Sequence, residues 1–294
     1  MKTNAGPRFS VVIPCYNEED FIGKTLLSLK QQVTSASYEI IVVDNNCNDA
    51  TASIARHHGA TVITEKRPGI CAARQAGTEA ARGEIIISTD ADTTFSKDWL
   101  DNIDKEFRRN PGIVAVGGPC MFKDTPWWGK YTIILFGASY IYSLIFGHPF
   151  YITATNTAFK KSAWTGYDPL LMQGGDEVGL LHQLRHYGKF RFSLGNPVYT
   201  SARRLQRGIL YNFFVTFLFY YLTGYIVNSI FGRQIIGTPP AFRGSYRDKL
   251  LPGMSLGLAT ILTATLAFSL VSPRITNFFT DNITDAYGIV YRLL

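Results

Sequence analysis

The feature that most narrows the fold is an alternation of wholly apolar runs with amphipathic ones between residues 9 and 119. FSVVIP (9–14), YEIIVVD (38–44), ATVIT (60–64) and EIIIST (84–89) are apolar almost throughout, as strands buried on both faces must be. Amphipathic stretches separate them. EEDFIGKTLLSLKQQ places Phe21, Ile22, Leu26 and Leu29 on one helical face, with acids in the first turn to suit the helix dipole. DATASIARHHG reads as a helix with Asp49 as N-cap and Gly59 as stop, and ICAARQAGTEAARG reads as a third helix. Ser96 opens a fourth, carrying Trp99, Leu100, Ile103 and Phe107. Strands alternating with helices predict an α/β fold with a doubly wound, mostly parallel sheet. In such sheets ligands sit outside the carboxyl ends of the strands. Weight therefore falls on Pro14, Tyr16 and Asn17 after the first run, Asp44 to Asn46 after the second, and Asp90 to Asp92 after the fourth.

The fourth run ends in STDADT (88–93), which sets Asp90 and Asp92 one residue apart. Like charges that close resist burial unless a cation or hydrogen-bond donors compensate them. A turn at a strand end brings both carboxylates toward one divalent ion, and Mg²⁺ or Mn²⁺ takes such oxygen ligands and completes its shell with phosphate. An isolated D-x-D triplet is more often a polar turn; its place at a strand end, in step with Asp44, favours the metal reading. The third acid nearby, Asp98, falls in the first turn of the next helix, where the dipole accounts for it. His182 and His186 share a helical face without a third ligand and read as a solvated surface.

Composition matters for the second half of the chain. Hydrophobic residues make up 46% and charged ones only 17%, and the apolar excess gathers after about residue 205. ILYNFFVTFLFYYLTGYIVNSIF (209–231) and LPGMSLGLATILTATLAFSLV (251–271) are uncharged and long enough to cross a hydrocarbon core of about 30 Å. Between them Arg233, Arg243, Arg247 and Lys249 face one acid, Asp248. A hairpin of two spans with the head inside would put that basic connection on the wrong side. Either the first segment lies in the interface or the charge rule is broken. A third stretch, PWWGKYTIILFGASYIYSLIFG (126–147), reads as a buried or membrane-facing helix. The net charge of +7 is not laid out as a nucleic-acid stripe; Arg203, Arg204 and Arg207 precede the apolar region, where anionic lipid is the expected partner. Cys15, Cys47, Cys71 and Cys120 form no paired motif and read as free thiols of a reducing compartment. MKTNAGPRFS lacks a signal-peptide core, so the head is expected in the cytoplasm, at the cytoplasmic membrane.

Taken in order, VVIPCYNEE (11–19), EIIVVDNNCNDAT (39–51), the arginine of PGICAARQAG (68–77), STDADT (88–93), NTAFKKSAW (156–164) and GGDEVGLLHQL (174–184) resemble the inverting nucleotide-sugar glycosyltransferases of family 2, with the glycosyltransferase A fold. The resemblance covers roughly residues 8 to 205 and implies a sugar transferred from a UDP- or GDP-sugar to a lipid or glycan acceptor. It implies that Pro14, Tyr16 and Glu18 form the first nucleotide-binding turn, that Asp44 meets the base, and that Arg74 lies near the nucleotide pocket. Asp90 and Asp92 match the metal and diphosphate motif. Asp176 and Glu177 match an acidic pair usually written in the opposite order, one member of which is the general base; which one takes the proton stays open, and Asp176 is also read as a helix N-cap.

Arg203 and Arg204 have two readings: guanidinium groups gripping a donor or acceptor phosphate, or a basic collar at the membrane surface. The expected organisation is a catalytic domain over 1–207, with a nucleotide-binding half near 8–119 and an acceptor half near 120–207, followed by a membrane-associated helical region over 208–294. A sugar nucleotidyltransferase would use related acids, but CYNEED stands where its glycine-rich basic loop belongs. A non-catalytic membrane-bound sensor of sugar nucleotides is the other alternative.

Overall fold

The computed structural model describes residues 6–168, 176–231 and 235–236, and there the apolar runs form the centre of a seven-stranded sheet. Its strands are β1 (Phe9–Cys15), β2 (Tyr38–Asp44), β3 (Thr61–Thr64), β4 (Ile85–Ser88), β6 (Ile113–Gly117), β8 (Thr157–Lys160) and β9 (Lys189–Phe192), in the order β3-β2-β1-β4-β8-β6-β9. β1 runs parallel to β2 and β4, β2 to β3, and β6 to β9, whereas β8 lies antiparallel between β4 and β6. The helices α1 (Glu19–Lys30), α2 (Thr51–His57), α3 (Ile70–Ala80), α4 (Trp99–Arg109), α5 (Tyr131–Phe146) and α6 (Asp176–Tyr187) complete the alternation. The mostly parallel α/β sheet is as expected.

Two helices start later than the sequence suggests: the N-cap of α2 is Ala50 rather than Asp49, and that of α4 is Asp98, two residues after Ser96. The Asp49 carboxylate accepts from Thr51 N at 3.0 Å and from Thr51 Oγ1 at 2.6 Å, tying the turn before α2 to its first residue. Gly59 ends that helix in the left-handed region, at φ +76°. Trp99, Leu100, Ile103 and Phe107 of α4 are all buried. Trp99 stacks on Phe95 and donates its indole N–H to Asn156 Oδ1 at 3.0 Å. The Asn156 amide in turn donates to the carbonyls of Pro119 and Asn196, so one buried side chain joins four segments.

A second sheet, β5 (Thr93–Thr94), β10 (Val198–Ser201) and β7 (Cys120–Lys123), links the two halves of the chain. β10 pairs antiparallel with β5, setting Thr200 opposite Thr93. That register carries the residues after β10 to the strand end bearing Asp90 and Asp92.

Three sequence expectations change. Pro14 lies inside β1, paired with Val43, rather than after the strand. Val12 O accepts from Thr89 N and Cys15 O from Asn45 N, so alternate residues face β4 and β2. Pro14 shares the side of Val12, but pairing with β4 has stopped at Val12, so its missing N–H interrupts no ladder. Residues 209–231 are helical in three consecutive stretches, Gly208–Leu210, a π-helical Tyr211–Thr223 and Gly224–Phe231. No helix among the described residues is long and apolar enough to cross a membrane. The second apolar run (251–271) and the basic residues before it lie outside the described residues. The stretch 126–147 folds as a short turn, Trp127–Lys130, followed by α5.

The approach of α3 to the sheet depends on small side chains, with Cys71, Ala72, Ala73 and Gly77 all buried. A Cβ at Gly77 would collide with Val12 and come within 2.9 Å of Val43 Cγ2. Gly77→Ala should therefore destabilise the domain by about 1–3 kcal/mol despite its better helix propensity, measured by urea denaturation; an unchanged midpoint would show that α3 has room to move.

Candidate active site

At the carboxyl ends of β1, β2 and β4 the chain makes three polar turns, and residues from the second half of the fold converge on them. Asn17 and Asn46 adopt left-handed backbone, at φ 52° and 66°, which asparagine tolerates better than most residues. Asn17 Oδ1 accepts from Asn48 N at 2.8 Å, and Asn17 N donates to Cys47 Sγ, tying the first turn to the second. Asp44 Oδ1 accepts from Cys47 N at 2.9 Å, closing the turn after β2. Tyr16 is exposed beside these turns.

Asn45 sets the entrance to α3. Its amide donates to the carbonyls of Glu65 and Arg67, and its Oδ1 accepts from Gly69 N at 3.0 Å. This holds the start of α3 against the end of β2, and Arg74 follows one turn into the helix. Arg74 is 2% exposed. Its Nη1 donates to Asp176 Oδ2 at 2.5 Å and its Nη2 to Asp90 Oδ1 at 2.7 Å. Burial alone would lower the Arg74 pKa, but the charges of Asp176 and Asp90 outweigh it and raise the value above the ordinary arginine range. The other Asp90 oxygen accepts from Thr155 Oγ1 at 2.6 Å.

A second guanidinium closes the opposite side. Arg203 grips Glu18 with two bonds of 2.8 and 2.7 Å, reaches Asp92 Oδ2 at 3.2 Å, and stacks over the Phe21 ring at 4.7 Å. Thr200 Oγ1 donates to Asp92 Oδ1 at 2.9 Å. Burial, the leading cause, lifts the Asp92 pKa; Arg203 lowers it, and Asp90 adds to the rise. Glu177, half-buried at the start of α6, is pushed up to about 7 by desolvation first and by the Asp176 charge second.

Asp90, Asp92, Arg74, Asp176, Glu177 and Glu18 thus gather at one edge of the sheet, with Tyr16 and Asp44 in the adjoining turns. Arg203 belongs to this cluster through Glu18 and Asp92; Arg204 is exposed, and its charge also acts on Asp92. Thr155 and Thr200 carry no motif; only their contacts with the two aspartates single them out. His182 and His186 lie exposed on α6, 3.4 Å apart, as a solvated face.

Among the described residues Arg74 bridges Asp90 and Asp176, and Arg203 bridges Glu18 and Asp92, with Glu177 beside Asp176. Among the described residues no group of three or more His, Cys, Asp or Glu is arranged to hold a metal alone. Asp90 and Asp92 are carboxylate donors of the kind Mg²⁺ takes, and an ion there would draw the rest of its shell from a bound phosphate in exchange for their present Arg and Thr contacts.

The sequence profile described as Glycosyl transferase family 2 matches residues 10–165. An uncharacterized glycosyltransferase of Mycobacterium bovis is 37% identical over 111 residues, 38% of this chain and 49% of that protein. A dolichyl-phosphate hexose transferase of Haloferax volcanii is 34% identical over 91 residues, 31% of this chain and 39% of that protein. The chain thus spans about half or less of these relatives' length. The crystal structure of S. aureus TarS in complex with UDP-GlcNAc superimposes with a TM-score of 0.53 at 15% identity, covering 66% of this chain and 58% of that one, a likeness of fold.

Because Asp176 is buried against Arg74, removing the guanidinium leaves an uncompensated carboxylate. Arg74→Ala should cost about 3–5 kcal/mol, and Arg74→Lys should recover only part of it, since an ammonium lacks the planar fork that meets two carboxylates. Chemical denaturation of both variants checks this; equal stability of Arg74→Ala and the parent chain would remove the bridge from its structural role.

Proposed function

This chain belongs to glycosyl transferase family 2, and on that premise we propose that it is an inverting transferase moving a sugar from a nucleotide diphosphate donor to an acceptor at the cytoplasmic membrane face. The observation that carries this reading is the meeting of Asp90 and Asp92 from the end of β4 with Glu177 from the start of α6 at one sheet edge. Such an edge is where nucleotides bind in doubly wound folds. UDP-sugars are the first donors to consider, because the TarS structure of similar fold is described as a UDP-GlcNAc complex. A lipid phosphate is the first acceptor, because a relative is named a dolichyl-phosphate hexose transferase.

In this scheme the turns bearing Tyr16, Glu18 and Asp44 receive the nucleoside, with Pro14 fixing the strand end behind them. Asp90 and Asp92 would hold Mg²⁺ or Mn²⁺ together with the donor diphosphate. When bound, the ion supplies positive charge that stabilises the leaving group. Between the two acids of α6, the proton falls to Glu177. Asp176 is locked to Arg74, whereas Glu177 keeps part of its surface open and has a pKa suited to exchange near neutrality. With a hydroxyl acceptor its carboxylate accepts the hydroxyl proton as that oxygen bonds to the anomeric carbon; a lipid phosphate, already anionic, makes the same bond with little help from a base. The bond to the diphosphate breaks, and the nucleoside diphosphate departs with the electron pair. Arg203 and Arg204 stand ready for phosphate on the donor or acceptor; for Arg203 this requires exchange of its bond to Glu18. The apolar stretch 208–231 would keep the acceptor side at the membrane.

UDP- and GDP-sugars offered with Mn²⁺ or Mg²⁺ and vesicles containing a polyprenyl phosphate should give glycolipid and free nucleoside diphosphate. Asp92→Asn should lower turnover by at least about a hundredfold. Equal transfer by that variant, or pyrophosphate release from a nucleoside triphosphate, would overturn the scheme.

The Glu177 carboxyl holds its proton below its raised pKa and cannot accept another. Transfer should rise with pH through about 7 and level off above it. With a hydroxyl acceptor Glu177→Gln should lose that rise and about 10²–10⁴ in kcat, with donor affinity retained; with a polyprenyl phosphate the loss should be much smaller. A pH profile of kcat with calorimetric donor binding checks both.

A further inference from the structure

Helix α5 is built inside out. Its buried residues are Thr132, Phe136 and Ser139, spaced as one helical face. Ser139 Oγ donates to Tyr151 O at 2.7 Å and accepts from Tyr151 N at 3.2 Å, so a hydroxyl anchors the helix to the domain. The opposite face carries Ile133, Ile134, Ile141, Leu144 and Ile145, all exposed, with Ile134 at 77% and Ile145 at 69%. At 3.6 residues per turn these five side chains fall within about 120° of arc. A water-facing helix places these residue types the other way round.

The charge pattern around this face identifies what it meets. No Asp or Glu occurs from Thr125 to Tyr167, nor from Val178 to Arg247. Lys130 stands exposed at the head of α5, on the same arc as the isoleucines, and Trp127, 82% exposed, precedes it. A tryptophan and a lysine at the rim of an aliphatic face suit the headgroup level of a bilayer. The turn Trp127–Lys130 is also joined to the start of the C-terminal helical region: a Cβ on Gly129 would come within 2.7 Å of Leu205 Cδ1. Past that contact Ile209, Leu210, Phe213 and Phe217 are exposed too, and Arg204 lies exposed beside Leu205. Two separate helical segments with exposed apolar residues and basic companions therefore start from one junction.

We propose that α5 is an interfacial anchor that lies on an anionic lipid surface with its isoleucine face in the acyl boundary and Lys130 and Trp127 at the headgroups. The helix rises about 24 Å over its length, less than the roughly 30 Å of a hydrocarbon core, so it lies along the surface instead of crossing it. The catalytic domain itself thus docks on the membrane, independently of residues 237–294 and of the reaction assigned to the site.

The full chain is sedimented with phosphatidylglycerol vesicles and with phosphatidylcholine vesicles. Binding should favour the anionic vesicles and weaken with salt. Ile134→Asp/Ile145→Asp should lower partitioning by at least about tenfold, since two anchors are lost and two charges repelled by the surface are gained. Nucleotide-sugar binding reports whether the variant is folded. A measurement on the unaltered helix accompanies it: brominated phosphatidylglycerol should quench tryptophan emission, and Trp127→Phe should remove a large part of that quenching. Unchanged partitioning of the double variant, equal quenching with and without Trp127, or burial of this face in a dimer that persists without lipid would each overturn the proposal. Loss of vesicle binding with donor binding intact separates this anchor from the transfer scheme.

Discussion

The site is organised around one buried guanidinium. Arg74 joins the end of β4, through Asp90, to the start of α6, through Asp176, and thereby fixes two halves of the sheet edge that are about a hundred residues apart in sequence. A charge so deeply buried is tolerated only because it is paired twice. Much of the surrounding construction follows from that requirement. The small residues of α3 let it approach the sheet, and Asn45 holds Gly69 so that the helix starts at the right height. Thr155 occupies the second Asp90 oxygen. In turn, Arg74 holds Asp176 at the start of α6, next to Glu177.

Arg203 performs a related task across the site, with a different consequence. It is placed by the pairing of β10 with β5, which also brings Thr200 onto Asp92. Its bonds to Glu18 and Asp92 tie together the turn after β1 and the turn after β4. Unlike Arg74 it keeps one-fifth of its side chain accessible, so a phosphate arriving at Asp92 has a guanidinium within reach. The same short segment continues into the apolar helical stretches from Gly208 to Phe231. The inverted polarity of α5 extends that character into the catalytic domain.

Legibility differed between the strand ends and the residues that reach them from elsewhere. Asp44, Asp90 and Asp92 stand out because apolar runs ending in acids are costly unless the acids are used, whereas Asp176 and Glu177 were legible through the family pattern. Arg74 sits in an alanine-rich helix and was legible as a pocket residue only through the family pattern; its bridging role was not. Thr155 and Thr200 gave no signal, since threonine is common beside strands. Pro14 was misplaced by one structural boundary, because a proline suggests the end of a strand unless the neighbour strand is known to stop first. Arg203 remained divided between a phosphate contact and a membrane collar, a choice that depended on the register of a two-residue strand.

Sequence alone determined the local and periodic properties: which runs are buried strands, which stretches are helical, which turns carry acids, and where apolar content becomes excessive. These are written in nearest neighbours and in periods of 2 and 3.6 residues. Tertiary structure alone decided which distant charges share a bond, which of two adjacent acids is held by an arginine, and which face of α5 looks outward. Each of these depends on strand order and on the packing of helices against the sheet. An arginine's partner is set by where the fold delivers a carboxylate, and a helix that is apolar nearly all round does not reveal its outward face until Ser139 is seen bound to Tyr151.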